Sequence, residues 1–114
     1  MDLHDWRVYR ESIEILGEVQ NWSRRLPRGY GWLADQARRA SGSVPLNIAE
    51  GLGRPSRAER NRFFQIAIGS VYETAACLEV GLRLGMIPED RFRVLWDRCD
   101  HISRMLGKLL RGCG

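Results

Sequence analysis

The apolar residues of this chain recur at three- and four-residue steps, and no stretch alternates as a half-buried strand would. Phe64, Ile68, Val71, Ala75, Leu78 and Leu82 are spaced 4-3-4-3-4, and Phe92, Leu95, Cys99, Ile102, Leu106 and Leu109 are spaced 3-4-3-4-3. Residues three and four apart share one face of an α-helix, so each run is a single apolar stripe. Two earlier segments show the same period. From about Asp5 to Leu26, Tyr9, Ile13, Leu16, Val19, Ser23 and Leu26 form a stripe that Trp6, Ile15 and Trp22 widen. From about Gly31 to Gly51 the stripe is Leu33, Ala37, Ala40, Val44 and Ile48.

The punctuation between the stripes is equally plain. Pro27 and Gly29 end the first helix. Ser56 and Glu59 form an S-x-x-E capping box for the third, and Gly85 is its expected stop. Pro88 suits the first turn of the fourth. The terminal Arg-Gly-Cys-Gly is expected to fray. Sustained 3-4 spacing implies left-handed packing at a small crossing angle. Short connections force neighbouring helices to run antiparallel. The prediction is one all-α domain over residues 1–114, an antiparallel up-down-up-down four-helix bundle. Trp22, Trp32, Tyr72 and Trp96 do not all fit one narrow core, which leaves apolar surface for a partner subunit.

Composition excludes several classes. No apolar run is long enough to span a bilayer, and the charged first ten residues do not read as a signal peptide, so a cytoplasmic protein without membrane contact is expected. Cys77, Cys99 and Cys113 are odd in number and lack C-x-x-C spacing, which argues against a disulfide framework and a zinc ribbon. They read as two core thiols and one at the frayed end. The net charge is +4, and Lys108 is the only lysine. Arginine is the preferred residue for phosphate contact. Compositional drift accounts for an arginine excess equally well.

The segment Gln36 to Arg57 departs from a plain amphipathic helix. Pro45 lacks an N–H and crowds the carbonyl of Ser41, so helix 2 should kink there. Ser41, Ser43 and Asn47 can each offer a nearby hydrogen bond. Ala37, Ala40, Gly42 and Ala49 leave room for a close neighbour. Glu50 to Arg54 matches neither phosphate-loop glycine pattern and is preceded by no strand, so Gly51 and Gly53 read as helix stop and turn.

These residues also carry a resemblance. Gln36, Arg39, Ala40, Ser43, Asn47, Ile48, Ala49, Glu50 and Gly51 fit the pattern Q-x-x-R-A-x-x-S-x-x-x-N-I-A-E-G, with Gly42 and Val44 as variants inside it. Gly69, Ser70 and Glu73 fit a second motif on helix 3. Over essentially its whole length the chain resembles the bacterial four-helix bundle family encoded in intervening sequences of the large-subunit ribosomal RNA gene. The resemblance implies an antiparallel bundle assembled as a cyclic pentamer. Relatives include the accessory subunit of diversity-generating retroelements, a basic pentamer that binds nucleic acid and a reverse transcriptase. It implies no enzyme.

Three functional readings compete. The first is a basic homo-oligomer that binds RNA or DNA backbone with little sequence preference. Its candidate contacts are Arg54, Arg57, Arg60 and Arg62 at the helix 2–3 end, with Arg38 one helix back. No aromatic residue is interleaved with these arginines on this reading, so base stacking is not indicated. Pairing with Glu50 and Glu59 would leave them a merely solvated face. The second reading is a scaffold for a protein partner such as a reverse transcriptase. The third, an enzyme, finds no support: no E-x-x-H pair marks a metal, Asp97, Cys99, Asp100 and His101 point different ways on a helix, and Ser43 has no histidine at readable spacing. No cofactor or catalytic residue is assigned. Gln36, Arg39, Ser43, Asn47 and Glu50 form one polar stripe, read as structural together with Pro45, Gly51, Ser70 and Glu73. Antiparallel register predicts an Arg39–Glu73 ion pair, suited to a subunit interface.

Overall fold

A computed structural model of the chain describes residues 1–112. Its helices are α1 (Arg7–Arg24), α2 (Gly31–Leu52), α3 (Arg57–Arg83) and α4 (Glu89–Leu110), with a 3₁₀ turn at Leu3–Asp5 ahead of α1. No strand occurs among the described residues. Each helix packs on the next and α1 packs on α4, which closes a four-helix bundle around one core. The molecule is a rod of 44 × 23 × 21 Å. Ser23 and Gln20 on α1 reach Arg38 and Ser41 on α2. Ser43 and Gly51 on α2 meet Ser70 and Phe64 on α3. In both pairs the numbers rise along one helix as they fall along the other. The two prolonged stripes supply the fully buried Phe64, Leu78, Leu95, Ile102 and Leu106, joined by Ile15, Leu33 and Ile48. Each such side chain contributes roughly 1.5–3 kcal/mol of burial.

The helix ends show where the sequence-based expectations need correcting. Ser56 caps α3, its Oγ accepting from the Glu59 N–H at 3.2 Å, but the return bond of a capping box is not made among the described residues. Gly85 ends α3 at φ 74°. Its N–H donates to Leu82 O at 3.0 Å and the Met86 N–H to Gly81 O at 2.8 Å, the two bonds of a Schellman turn. Pro88 is the N-cap of α4 rather than a first-turn residue. Gly51 is not a helix stop. It lies inside α2, buried, where a Cβ would sit 2.7 Å from the Phe64 ring and 3.2 Å from Arg60 O. Its small size lets α3 approach. Gly53, at φ −84°, is an ordinary right-handed cap.

Pro45 is buried and does not interrupt α2. Side chains that flank it bond the backbone ahead of it: Ser41 Oγ donates to Ala37 O at 2.8 Å, and Asn47 Nδ2 to Ser43 O at 2.8 Å. Cys77 and Cys99 are buried free thiols. Burial pushes the Cys99 thiol up to about 12. The Cys77 thiol is raised by burial and then by the charge of Glu73. Cys113, expected at a frayed end, lies outside the described residues. No helix among the described residues is long and apolar enough to cross a membrane.

Candidate nucleic-acid interface

The turn between α2 and α3 sets the arginines. Ser56 fixes the start of α3, and the helical period then divides the residues of its first two turns. Arg57, Arg60, Asn61 and Phe64 fall on one side, at steps of three and four. Arg62 and Phe63 are turned away from them by about 100° per residue.

The first group faces a cleft of about 370 Å³ at this end of the bundle. Arg57, Arg60 and Asn61 supply its polar wall, and Trp6, Leu52, Phe64 and Leu109 its apolar one. No carboxylate lines it among the described residues. Arg60 is held in place by its Nε, which donates to Arg54 O at 3.1 Å. Among the described residues neither Arg57 nor Arg60 has a carboxylate partner. The cleft walls therefore offer donors and positive charge, with no carboxylate among the described residues to neutralise them. Among the described residues they also offer no general base and no nucleophile.

The second group clusters on Phe63. Two guanidiniums stand over its ring, with Arg54 Cζ 4.9 Å and Arg62 Cζ 5.2 Å from the centroid. Each such contact is worth about 0.5–1 kcal/mol at an exposed site. Arg54 also donates to Glu50 Oε2 at 2.9 Å, so one of the candidate arginines is paired with a residue one turn back. Aromatic residues thus do accompany the arginines, contrary to the expectation from sequence. Phe63 stands next to Arg62 in the chain, and that adjacency is the available signal. Trp6 gives none. Its period places it on the α1 stripe, yet it is the N-cap of α1 and stays 38% exposed at the cleft.

Arg38 does not belong with this group. It is roughly 20 Å along α2 from Leu52 at the helical rise per residue. Its Nε donates to Ser23 Oγ at 3.1 Å and its Nη1 to Asp35 at 3.4 Å, which ties it to α1 and its own helix. The polar stripe also divides. Asn47 donates to Ser43 Oγ at 2.9 Å and Ser70 Oγ to Ser43 Oγ at 2.7 Å, a polar chain that joins α2 to α3. Thr74 Oγ1 extends it by donating to Ser70 O at 2.8 Å. Gln36 and Arg39 remain exposed on the outer face. Among the described residues Arg39 and Glu73 make no ion pair within the chain. Several apolar side chains are also exposed: Leu46 is 69% exposed, Tyr72 67% and Trp32 56%. Trp22 alone of the four surplus aromatics is buried. No group of three His, Cys, Asp or Glu residues among those described could hold a metal ion.

The fold and sequence can be set beside known proteins. A crystal structure of a protein of unknown function from the S23 ribosomal protein family of Bacteroides thetaiotaomicron superposes with a TM-score of 0.84 at 23% identity. The match covers 90% of this chain and 97% of that one. None of the curated proteins matches the sequence. Residues 4–108 match the family described as 23S rRNA-intervening sequence protein. That span includes both polar motifs and nearly the whole of the four helices, and the chain belongs to the 23S rRNA-intervening sequence protein family.

Proposed function

We propose that this chain is a non-enzymatic, basic bundle that binds the backbone of RNA or DNA, with little sequence preference, through the end where α2 turns into α3. The observation that carries this reading is the grouping of Arg57, Arg60 and Arg62 at one end with no carboxylate partner among the described residues. An arginine already paired must break that pair to bind phosphate, and these three have no such pair among the described residues. Arg54 adds charge to the same surface while sharing it with Glu50. The working unit on this reading is a homo-oligomer, a pentamer by family resemblance. The exposed Leu46, Tyr72 and Trp32 supply apolar surface for it, and Arg39 and Glu73 are free to pair across subunits. The same apolar surface also supports a second reading, docking of a protein partner.

The test is binding of a labelled structured RNA and a duplex DNA over a salt series, with the protein's mass followed by light scattering. The expected result is a log K that falls linearly with log salt. Replacing Arg57 and Arg62 by Ala should reduce that slope by about one for each phosphate these arginines neutralise. Absence of binding at about 50 mM salt would overturn the reading.

A further inference from the structure

We infer that the end cleft receives one unpaired nucleotide of a single strand, its base against Trp6 and its phosphate on Arg57 and Arg60. The inference rests on the backbone-binding reading and names the form of nucleic acid it favours. Three observations converge on it. The cleft, at about 370 Å³, lies within the range of roughly 300–1,000 Å³ typical of small-molecule sites. Its polar side chains are two guanidiniums and an amide, with no carboxylate among the described residues, so it selects an anion. Its other wall is apolar and includes a partly exposed indole, which suits an anion that carries a flat apolar group. An unpaired nucleotide has both parts, and in a duplex its base is stacked away.

The surroundings favour a nucleotide within a strand over a free small molecule. The Arg54, Phe63 and Arg62 cluster extends the basic surface next to the cleft: Arg60, which lines the cleft, bonds the Arg54 carbonyl, and the Arg54 guanidinium stands over Phe63. A second base can lie on that cluster while its phosphate meets the guanidiniums. Single strands are commonly held by this combination of a basic track and aromatic platforms. Phe64, 2% exposed, forms the floor and is not available as a platform; Trp6 is.

The experiment compares a labelled single-stranded oligoribonucleotide, the oligodeoxyribonucleotide of the same sequence, and their duplex counterparts. Wild type, Trp6→Ala, Trp6→Phe and Arg57→Ala are measured at fixed salt, with thermal unfolding of each as the folding control. The expected result is tighter binding of a single strand, ribo or deoxy, than of duplex. Trp6→Ala should weaken single-strand binding roughly ten-fold and leave duplex binding unchanged, Trp6→Phe should restore most of it, and Arg57→Ala should weaken both. Equal binding of strand and duplex, untouched by Trp6→Ala, would overturn this inference and leave backbone binding standing. An equal loss on both ligands in Trp6→Ala would also overturn it. Failure of every nucleic acid to bind wild type would overturn both readings together.

Discussion

At the end where α1 turns into α2 and α3 into α4, the bundle is bolted across its width. Trp22 is buried over Gly81, and its Nε1 donates to Met86 O at 3.0 Å. Glu18 on α1 pairs with Arg91 and, at 4.0 Å, with Arg98 on α4. At the opposite end, where α2 turns into α3, the corresponding tryptophan is partly outside. Trp6 caps α1 without a side-chain hydrogen bond, and the space beside it is a cleft walled by arginines without carboxylate partners among the described residues. One end ties α1 to α3 and α4; the other keeps charge and apolar surface accessible. On the proposed function, stability and binding are thereby assigned to different ends of one short rod.

The largest expected effect separates the two tryptophans. Trp22→Ala should lower the unfolding free energy by about 3–5 kcal/mol, because it removes a buried ring and strands the Met86 carbonyl. Trp6→Ala should cost less than about 1 kcal/mol, as a partly exposed residue does. Urea unfolding followed by helical circular dichroism measures both. Similar losses at the two positions would remove the distinction between the ends.

The two ends are nonetheless alike in one respect. Both place a glycine beneath an aromatic ring: Gly81 under Trp22 and Gly51 under Phe64. A Cβ at either position meets ring atoms well inside van der Waals contact. Gly81→Ala and Gly51→Ala should each cost about 1–3 kcal/mol by overpacking, measured by the same urea unfolding. Close packing of α2 on α3 therefore reaches the open end as well. A neutral Gly51→Ala would mean that Phe64 yields and that the cleft floor is soft.

Glycine also marks the boundary of what the sequence discloses. The stripes from Phe64 to Leu82 and from Phe92 to Leu109 reveal the helices directly, because burial imposes the 3-4 period on every position that faces the core. Gly85 is legible as a stop because a left-handed residue is needed there. Gly51 is not legible, since a helix stop and a close helix contact both ask for glycine. Trp6 is hidden for a related reason: periodicity gives a residue's face but not the depth at which its helix begins. The arginines are visible as a set, yet their division into a cleft wall, a cluster on Phe63 and the separately tied Arg38 depends on side-chain partners. Periodicity carries no information about partners, and so the site is less legible than the fold.

Cys99 senses the middle of the rod. It lies midway along α4, and burial holds its thiol up at about 12 against an ordinary value of 9.0. The folded chain thus keeps a proton that the unfolded chain releases above about pH 9. Stability should be unaffected by this group below that pH and fall as pH rises toward 12, by on the order of 1 kcal/mol per pH unit. At pH 8 a thiol reagent should reach Cys99 only when the bundle opens. Its modification, located by peptide mass, should speed up in Trp22→Ala and not in Trp6→Ala. Equal acceleration would show that opening at either end exposes the core.

The smallest effect is the most direct test of charge. Glu18 is 29% and Arg91 43% exposed in their side chains, so water screens their pair. Glu18→Gln should cost only about 0.2–1 kcal/mol, and the loss should shrink as salt is added. Arg57→Ala at the other end should leave stability within about 0.5 kcal/mol, since no carboxylate among the described residues is left without its partner. The two variants remove charges of opposite sign from opposite ends, and unfolding at low and high salt distinguishes them. A measurable, salt-sensitive loss in Arg57→Ala would mean that this arginine is held by an interaction inside the fold. It would then be less available to a phosphate, and the open end would be a second, weaker bolt.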